Sequence, residues 1–411
     1  MAPKRVLLVN PNRYHHPPVI PIGLEYIASA LEERGHEISI LDLCFSAEPE
    51  IALREKILDF RPDAVCFTVR NVDTVLYPDT EYFLPLISDY ISVSREVSNA
   101  PVIIGGAGLK ADPKGILQRL GADIALVGPA ETTLPDIIDA LPFMPEENII
   151  TCEPAFSVPV RGKHLDYSPY LEGGGIGGFQ THKGCSASCP YCIEALTPVA
   201  LRDIEDVLSD LRALSEAGAD HLHLCDSEFN ENNDYCIALL RDIRKSAPSL
   251  KWTLYMKTSP VPKEMFALLA ETGAYHITLS ADTLGRGAGY MKNACDIVNM
   301  AADAGIRTSI DLLGAFPEED PSTIRKTTET LLNSGADEVV VNTVLRLYRG
   351  LPLTESILNS PQHSSRITGD PGMLAPCFYF HISPEDARRT LGNDPRIKIA
   401  GEQRGVNYER A

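Results

Sequence analysis

The sequence predicts an α/β protein made of an open parallel sheet, then a partial (β/α)6 barrel, then a short C-terminal extension. Short apolar runs alternate with amphipathic stretches in two successive series. A seam rich in Pro, Glu and Gly separates the series, and 411 residues exceed what a single core usually spans. The expected organisation is 1–145 for the first domain, 146–176 for a linker, 177–350 for the barrel and 351–411 for an extension capping it.

In the first domain the strands are expected at 5–9, 37–41, 64–68, 102–105 and 123–127. Helices are expected at 22–34, 51–58, 81–97, 113–120 and 133–141. Such alternation implies right-handed crossovers, with ligands bound beyond the carboxyl ends of the strands. In the seam, residues 172–178 carry five glycines, which suit a flexible junction or a close backbone approach. The barrel strands are expected at 179–183, 221–225, 252–256, 276–280, 308–312 and 338–343. Leu201, Ile204, Leu208, Leu211 and Leu214 form one apolar helical stripe after the first of them. Six units rather than eight predict an open barrel that presents side chains at its strand ends.

Composition narrows the function. A net charge of −19 gives no general attraction to a phosphate backbone, so a nucleic-acid substrate is not expected. No apolar run is long enough to span a membrane, and residues 1–12 lack the pattern of a secretory signal. A cytoplasmic protein is expected. Ten cysteines in a reducing compartment point to metal or redox chemistry rather than disulfides.

The most specific motif follows the first barrel strand: Cys185, Cys189 and Cys192 in the spacing C-x3-C-x2-C, with Tyr191 just before the last. Zinc wants a fourth ligand, which His182 could offer, and iron–sulfur cubes normally take four thiolates. Three thiolates leave one iron open. This stretch resembles the signature of the radical S-adenosylmethionine (SAM) superfamily. The resemblance implies that Cys185, Cys189 and Cys192 hold a [4Fe–4S] cluster. SAM would chelate the open iron and be cleaved reductively to a 5′-deoxyadenosyl radical, with electrons from a low-potential donor. It further implies that Glu228, or failing that Asp226, binds the SAM ammonium at the second strand end. Lys257, Ser280 and Asp282 would line the cofactor cavity, with the 314–319 and 345–353 segments beside them.

The first domain carries Gly105 and Gly106 after its fourth strand, and Gly128, Glu131, Thr132 and Thr133 after its fifth. These look like the paired Gly-Gly and Gly-Glu-x-Glu-x-Thr elements of cobalamin-dependent radical SAM proteins, with Pro129 and Ala130 as a departure. The resemblance implies a Rossmann-like cobalamin-binding domain. No Asp-x-His-x-x-Gly segment is present to supply a histidine to cobalt, so base-off cobalamin is expected, with Arg70 and Asn71 facing its lower side. Arginine has no lone pair to offer the metal.

The implied activity is cobalamin-dependent radical SAM C-methylation of an unactivated sp3 carbon through methylcobalamin. The chain looks most like short archaeal members that methylate a glutamine of a protein, methyl-coenzyme M reductase. The 225–230 and 69–73 segments carry that likeness. A peptide groove would involve Cys377, Tyr379 and His381. The alternatives are cobalamin enzymes of other reaction types, including ring formation or contraction and small-molecule methylation. A methylthiotransferase with a second cluster on Cys44, Cys66 and Cys152, and a non-catalytic cobalamin sensor, fit less well.

Overall fold

The computed structural model describes residues 2–246, 250–370 and 372–400. They form two compact units, Met1–Thr74 with Glu81–Ile176, and Val75–Thr80 with Gly177–Ala411.

The first unit runs β1 (Arg5–Asn10), α1 (Ile22–Glu33), β2 (Glu37–Asp42), α2 (Pro49–Phe60), β3 (Ala64–Thr68), α3 (Leu84–Val97), β4 (Val102–Gly105), α4 (Pro113–Leu120), β5 (Ile124–Val127), α5 (Thr133–Ala140), β6 (Ile149–Thr151) and α6 (Ser168–Glu172). Its sheet has the order β2-β1-β3-β4-β5-β6 with every pair parallel. Helices cover both faces, so the central strands bury nearly every residue: Val6 to Val9 and Ala64 to Phe67 are all buried. Caps set the helix limits. Asp112 accepts from the Gly115 amide at the start of α4, Pro113 fills the first turn, and Gly121 ends the helix at φ 64°. The strand order reverses between β1 and β3, where such sheets open a ligand crevice.

The predicted linker is part of this unit. Residues 149–151 form β6 beside β5, and the chain after it is tied back to α1. Buried Glu25 accepts from Tyr167 Oη at 2.6 Å and the Gly162 amide at 2.8 Å, and pairs with buried Arg161. The seam is therefore packed rather than loose. A Cβ on Gly175 would stand 2.6 Å from the Pro18 carbonyl oxygen, so the glycine serves close packing against the chain itself. Prolines and glutamates at the surface disguise an apolar strand of only three residues.

The second unit runs β7 (Gly177–Phe179), β8 (His182–Cys185), β9 (Thr197–Leu201), α7 (Ile204–Glu216), β10 (His221–Leu224), α8 (Asn233–Ser246), β11 (Lys251–Lys257), α9 (Lys263–Glu271), β12 (Ala274–Asp282), α10 (Ala288–Asp303), β13 (Arg307–Leu313), α11 (Pro321–Asn333), β14 (Glu338–Asn342), β15 (Val344–Arg346), α12 (Pro352–Leu358), α13 (Pro361–Ser364), β16 (Ile367–Gly369), β17 (Cys377–Phe380), α14 (Pro384–Leu391) and β18 (Ile397–Ile399). Seven parallel strands form its main sheet, in the order β18-β14-β13-β12-β11-β10-β7.

Three departures from expectation matter for the site. The first strand ends at Phe179, and the chain turns into a separate antiparallel ribbon of β8 and β9. Leu201 belongs to that ribbon and is exposed, while the helical stripe begins at Ile204 after the Asp203 cap. The C-terminal segment does more than cap the barrel: β18 extends the sheet alongside β14, and α14 packs on α11. β15, β16 and β17 make a small antiparallel sheet over a cluster of Phe316, Leu345, Leu347, Ile357, Met373, Cys377 and Tyr379. Tyr77 of the Val75–Thr80 segment packs edge-on to Phe378 in the same unit, with ring centroids 5.5 Å apart.

Candidate functional site

The cysteine loop spans the tip of the β8–β9 ribbon. Gly184 bulges the ribbon at φ 86°, and a Cβ there would fall 1.9 Å from the Pro198 carbonyl oxygen. Asp226 fixes the ribbon's base. It accepts from the Thr181 amide at 2.9 Å and from the Thr181 hydroxyl, and pairs with His182 Nδ1 at 3.0 Å. Tyr235 Oη donates to the Arg202 carbonyl at 2.8 Å on the other strand.

Cys185, Cys189 and Cys192 are free thiols, the first buried and the others half-buried. Burial pushes Cys185 up to about 11 and raises Cys192. The Glu194 amide donates to Cys192 Sγ at 3.4 Å, and the Cys185 amide donates to Thr197 Oγ1 at 2.9 Å. Among the described residues no three His, Cys, Asp or Glu side chains are already closed around one metal position. The donor set fits a cluster nonetheless: three uncrosslinked sulfurs on one eight-residue loop, with an amide already directed at one of them.

The strand ends around the loop carry the remaining predicted residues. Tyr191 Oη donates to Asp282 Oδ2 at 2.7 Å, and its ring lies 5.7 Å from that of Phe316. Asp282 is ion-paired to Arg286 at 2.7 Å. Ser280 accepts from Thr258 Oγ1 through its carbonyl, and its side chain is hydrogen-bonded to Glu228. Lys257 does not stand free in a cavity: its Nζ lies 2.8 Å from Glu231 Oε2 and donates to Ser186 Oγ at 3.1 Å. Asp226 is fully committed to Thr181 and His182, which leaves it no oxygen for a cofactor.

Glu228 differs. Its Oε2 is buried with no hydrogen-bond partner among the described residues. Burial pushes its carboxyl up to about 8. A buried carboxyl in that condition would ionise on meeting a cation. Sequence reasoning misses Ser186, Glu231 and Arg286. Glu231 is the next acid after the 225–230 segment, and Arg286 lies four residues beyond Asp282.

In the first unit the predicted residues gather at the carboxyl ends of β3, β4 and β5. Arg70 is half-buried and Asn71 exposed, and neither side chain has a hydrogen-bond partner among the described residues. Gly105 faces open space, where a Cβ would meet nothing nearer than the Leu126 carbonyl oxygen at 4.0 Å. Gly106 does not face a ligand: a Cβ there would sit 2.6 Å from the Val69 carbonyl oxygen, so the residue lets two loops of the chain meet. Gly128 adopts φ 104° against the Cys152 carbonyl, and Glu131 is buried. Thr132 is exposed and makes no side-chain cap to α5, whereas Thr133 bonds the Cys152 thiol. Uncommitted donors on an open rim fit a large amide-rich ligand such as a corrin. Cys44, Cys66 and Cys152 are buried thiols, with the first two pushed up to about 11 and about 12 by burial.

Comparison with known proteins finds a family match in each part of the chain. Residues 12–138 match the B12 binding domain, and residues 179–331 match the radical SAM superfamily. The tryptophan 2-C-methyltransferase of Streptomyces laurentii is 26% identical, the match covering 86% of this chain and 74% of that protein. The cytidylyl-2-hydroxyethylphosphonate methyltransferase of Streptomyces wedmorensis is 24% identical over 68% of this chain, and the match spans 65% of that protein, just under two thirds. The radical SAM methyltransferase TsrM of Kitasatospora setae, solved with cobalamin and a [4Fe–4S] cluster, shares the fold. Its TM-score is 0.82 at 24% identity, covering 97% of this chain and 93% of that one.

Residues 12–138 are thus a cobalamin-binding domain and residues 179–331 a radical SAM domain, and these domains set cobalamin, a [4Fe–4S] cluster and SAM as the cofactors of an enzyme. The chain's sequence is similar to those of two methyltransferases. No described helix is long and apolar enough to cross a membrane.

Proposed function

We propose that the chain transfers a methyl group from SAM, by way of cobalamin, to carbon of an organic substrate. The observation that carries the reading is the buried, partnerless Glu228 oxygen beside a loop of three free cysteines. Cys185, Cys189 and Cys192 would hold three irons of the cluster, and Glu228 Oε2 would take the SAM ammonium in a charge-assisted hydrogen bond. In the first unit Asn71 and Thr132 would hold corrin amides. Arg70 would cover the lower face of a base-off corrin without ligating cobalt. When bound, the cluster supplies the electron that splits the sulfonium, and cobalamin carries the methyl group. Ser280 keeps Glu228 oriented, and Tyr191 and Phe316 offer flat apolar surface at the strand ends.

Two acceptors compete. The 225–230 segment suggests a glutamine Cα of methyl-coenzyme M reductase. Asp226 and Asn230 of that segment are occupied inside the fold, Asn230 bonding the Lys257 backbone and Ser259. A small molecule is the better-supported acceptor, because the two curated methyltransferases above are named for tryptophan and for a cytidylyl phosphonate.

Anaerobic reconstitution with iron, sulfide and hydroxocobalamin is expected to give about four irons and one cobalamin per chain. Cys189→Ala should lose the iron and keep the cobalamin. A colourless zinc protein sinks the reading, and two clusters per chain favour a methylthiotransferase. Parallel incubations with tryptophan and with a glutamine peptide then identify the acceptor. Its product gains one methylene in mass, and S-adenosylhomocysteine accumulates alongside 5′-deoxyadenosine, which carries off the displaced hydrogen.

A further inference from the structure

We propose that two carboxylate–cation clamps, Glu231 with Lys257 on Ser186 and Asp282 with Arg286 on Tyr191, hold the cysteine loop in its working shape before iron arrives. These four side chains are positioning residues for the cluster. The inference rests on the reading of Cys185, Cys189 and Cys192 as cluster ligands.

Both carboxylates are removed from water, with side-chain exposures of 2% for Glu231 and 1% for Asp282. Each is satisfied partly by its cation and partly by the loop. Glu231 accepts from the Ser186 amide at 3.0 Å and from the Ser186 hydroxyl at 2.7 Å, and Lys257 Nζ closes the triangle onto that same hydroxyl at 3.1 Å. Asp282 takes the Tyr191 hydroxyl at 2.7 Å and the Arg286 guanidinium on both oxygens. Ser186 directly follows the first cysteine and Tyr191 directly precedes the last, so the clamps grip the loop near both ends. Between them, the Leu353 amide donates to the Pro190 carbonyl at 3.1 Å.

A loop that swung away would strand two buried charges with part of their hydrogen bonds unmade, and such groups are costly to leave unsatisfied. The loop shape and the ion pairs therefore stand or fall together. This differs from metal sites in which the ligand loop is ordered only by its metal.

Hydrogen exchange on the metal-free full chain tests this directly. Amides of 185–192 should be protected in the wild type. Glu231→Gln and Asp282→Asn should each speed their exchange at least tenfold, while β12–β14 amides stay unchanged. After loading, both variants should bind less than the full iron complement and give an altered EPR spectrum of the reduced cluster. Glu231→Asp should recover the wild-type spectrum in part. Free exchange of 185–192 in the metal-free wild type, or unchanged exchange and EPR in both variants, overturns the proposal. If the charge substitutions unfold the barrel, Tyr191→Phe and Ser186→Ala replace them. Each removes one hydroxyl and should speed exchange at least threefold at its own end, and no change in either overturns the clamps. A protected loop in a wild type that binds no iron would uphold the clamps and sink the cluster assignment.

Discussion

Two acids two positions apart at the end of β10, Asp226 and Glu228, have opposite fates. Asp226 is spent on the backbone and hydroxyl of Thr181, whereas Glu228 keeps an oxygen buried and unpaired. Nothing in the local sequence separates them, because the partner that claims Asp226 lies 45 residues away in the chain. The choice of Glu228 over Asp226 for the SAM ammonium therefore gains a physical basis only in the fold. If Glu228 takes the SAM ammonium as proposed, Glu228→Gln should cost a charge-assisted bond of about 1.5–3 kcal/mol, a roughly 10- to 150-fold rise in KM for SAM. Steady-state assays should show that rise with the iron content unaltered. Asp226→Asn should instead lower cluster loading, because it loosens the ribbon base. Lys257 shows the limit of motif reasoning in the other direction: a lysine at a strand end suggests a cofactor contact, yet its ammonium is already held by Glu231.

The elements are legible where periodicity is strong. The parallel strands of both sheets follow the apolar runs closely, as with β1 at Arg5–Asn10 and β13 at Arg307–Leu313. The ribbon is not legible. Residues 179–183 look like one continuous strand, but Thr181 and His182 are captured by Asp226, and the chain leaves the sheet after Phe179. β6 and β18 are hidden for a different reason: three residues carry too little pattern to stand out from their surroundings. Within the ribbon, Gly184 has no substitute, since its φ is positive and the Pro198 carbonyl occupies the space a side chain would need. Gly184→Ala should destabilise the ribbon by about 3 kcal/mol or more. Limited proteolysis near 184–200 and loss of iron loading, with cobalamin still bound, would report it.

Across the whole chain, protonation acts in both directions: three histidines weaken the fold in mild acid, whereas the buried Glu228 carboxyl, pushed up to about 8, strengthens it there. His36, His276 and His381 all have their proton affinity lowered, first by burial, and then by neighbouring cations, Arg307 for His276 and Arg366 for His381. Each binds a proton less readily in the fold than in the unfolded chain. Their share of the stability is therefore undiminished above 6.5, the ordinary value, falls as the pH drops below it, and levels off beneath the lowered folded values. The histidine share should appear between about pH 7.5 and about pH 5.5 as a change in the urea-midpoint difference between wild type and His276→Gln. On acidification the wild type should lose stability relative to His276→Gln, which retains a donor for the Ser309 hydroxyl that His276 meets at 2.7 Å. An equal pH response in wild type and variant would remove His276 from the account.

The pairing of β18 with β14 carries a kinetic corollary. Val339 waits for Ile397, and between them the chain must complete α12, α13 and the small antiparallel sheet. During synthesis on the ribosome the nascent barrel accordingly exposes the backbone of β14 until residues 397–399 emerge. An open strand edge of that kind invites pairing with other chains. A host that expresses this enzyme quickly should accumulate it in inclusion bodies, and slower translation or a chaperone that shields that edge should raise the yield.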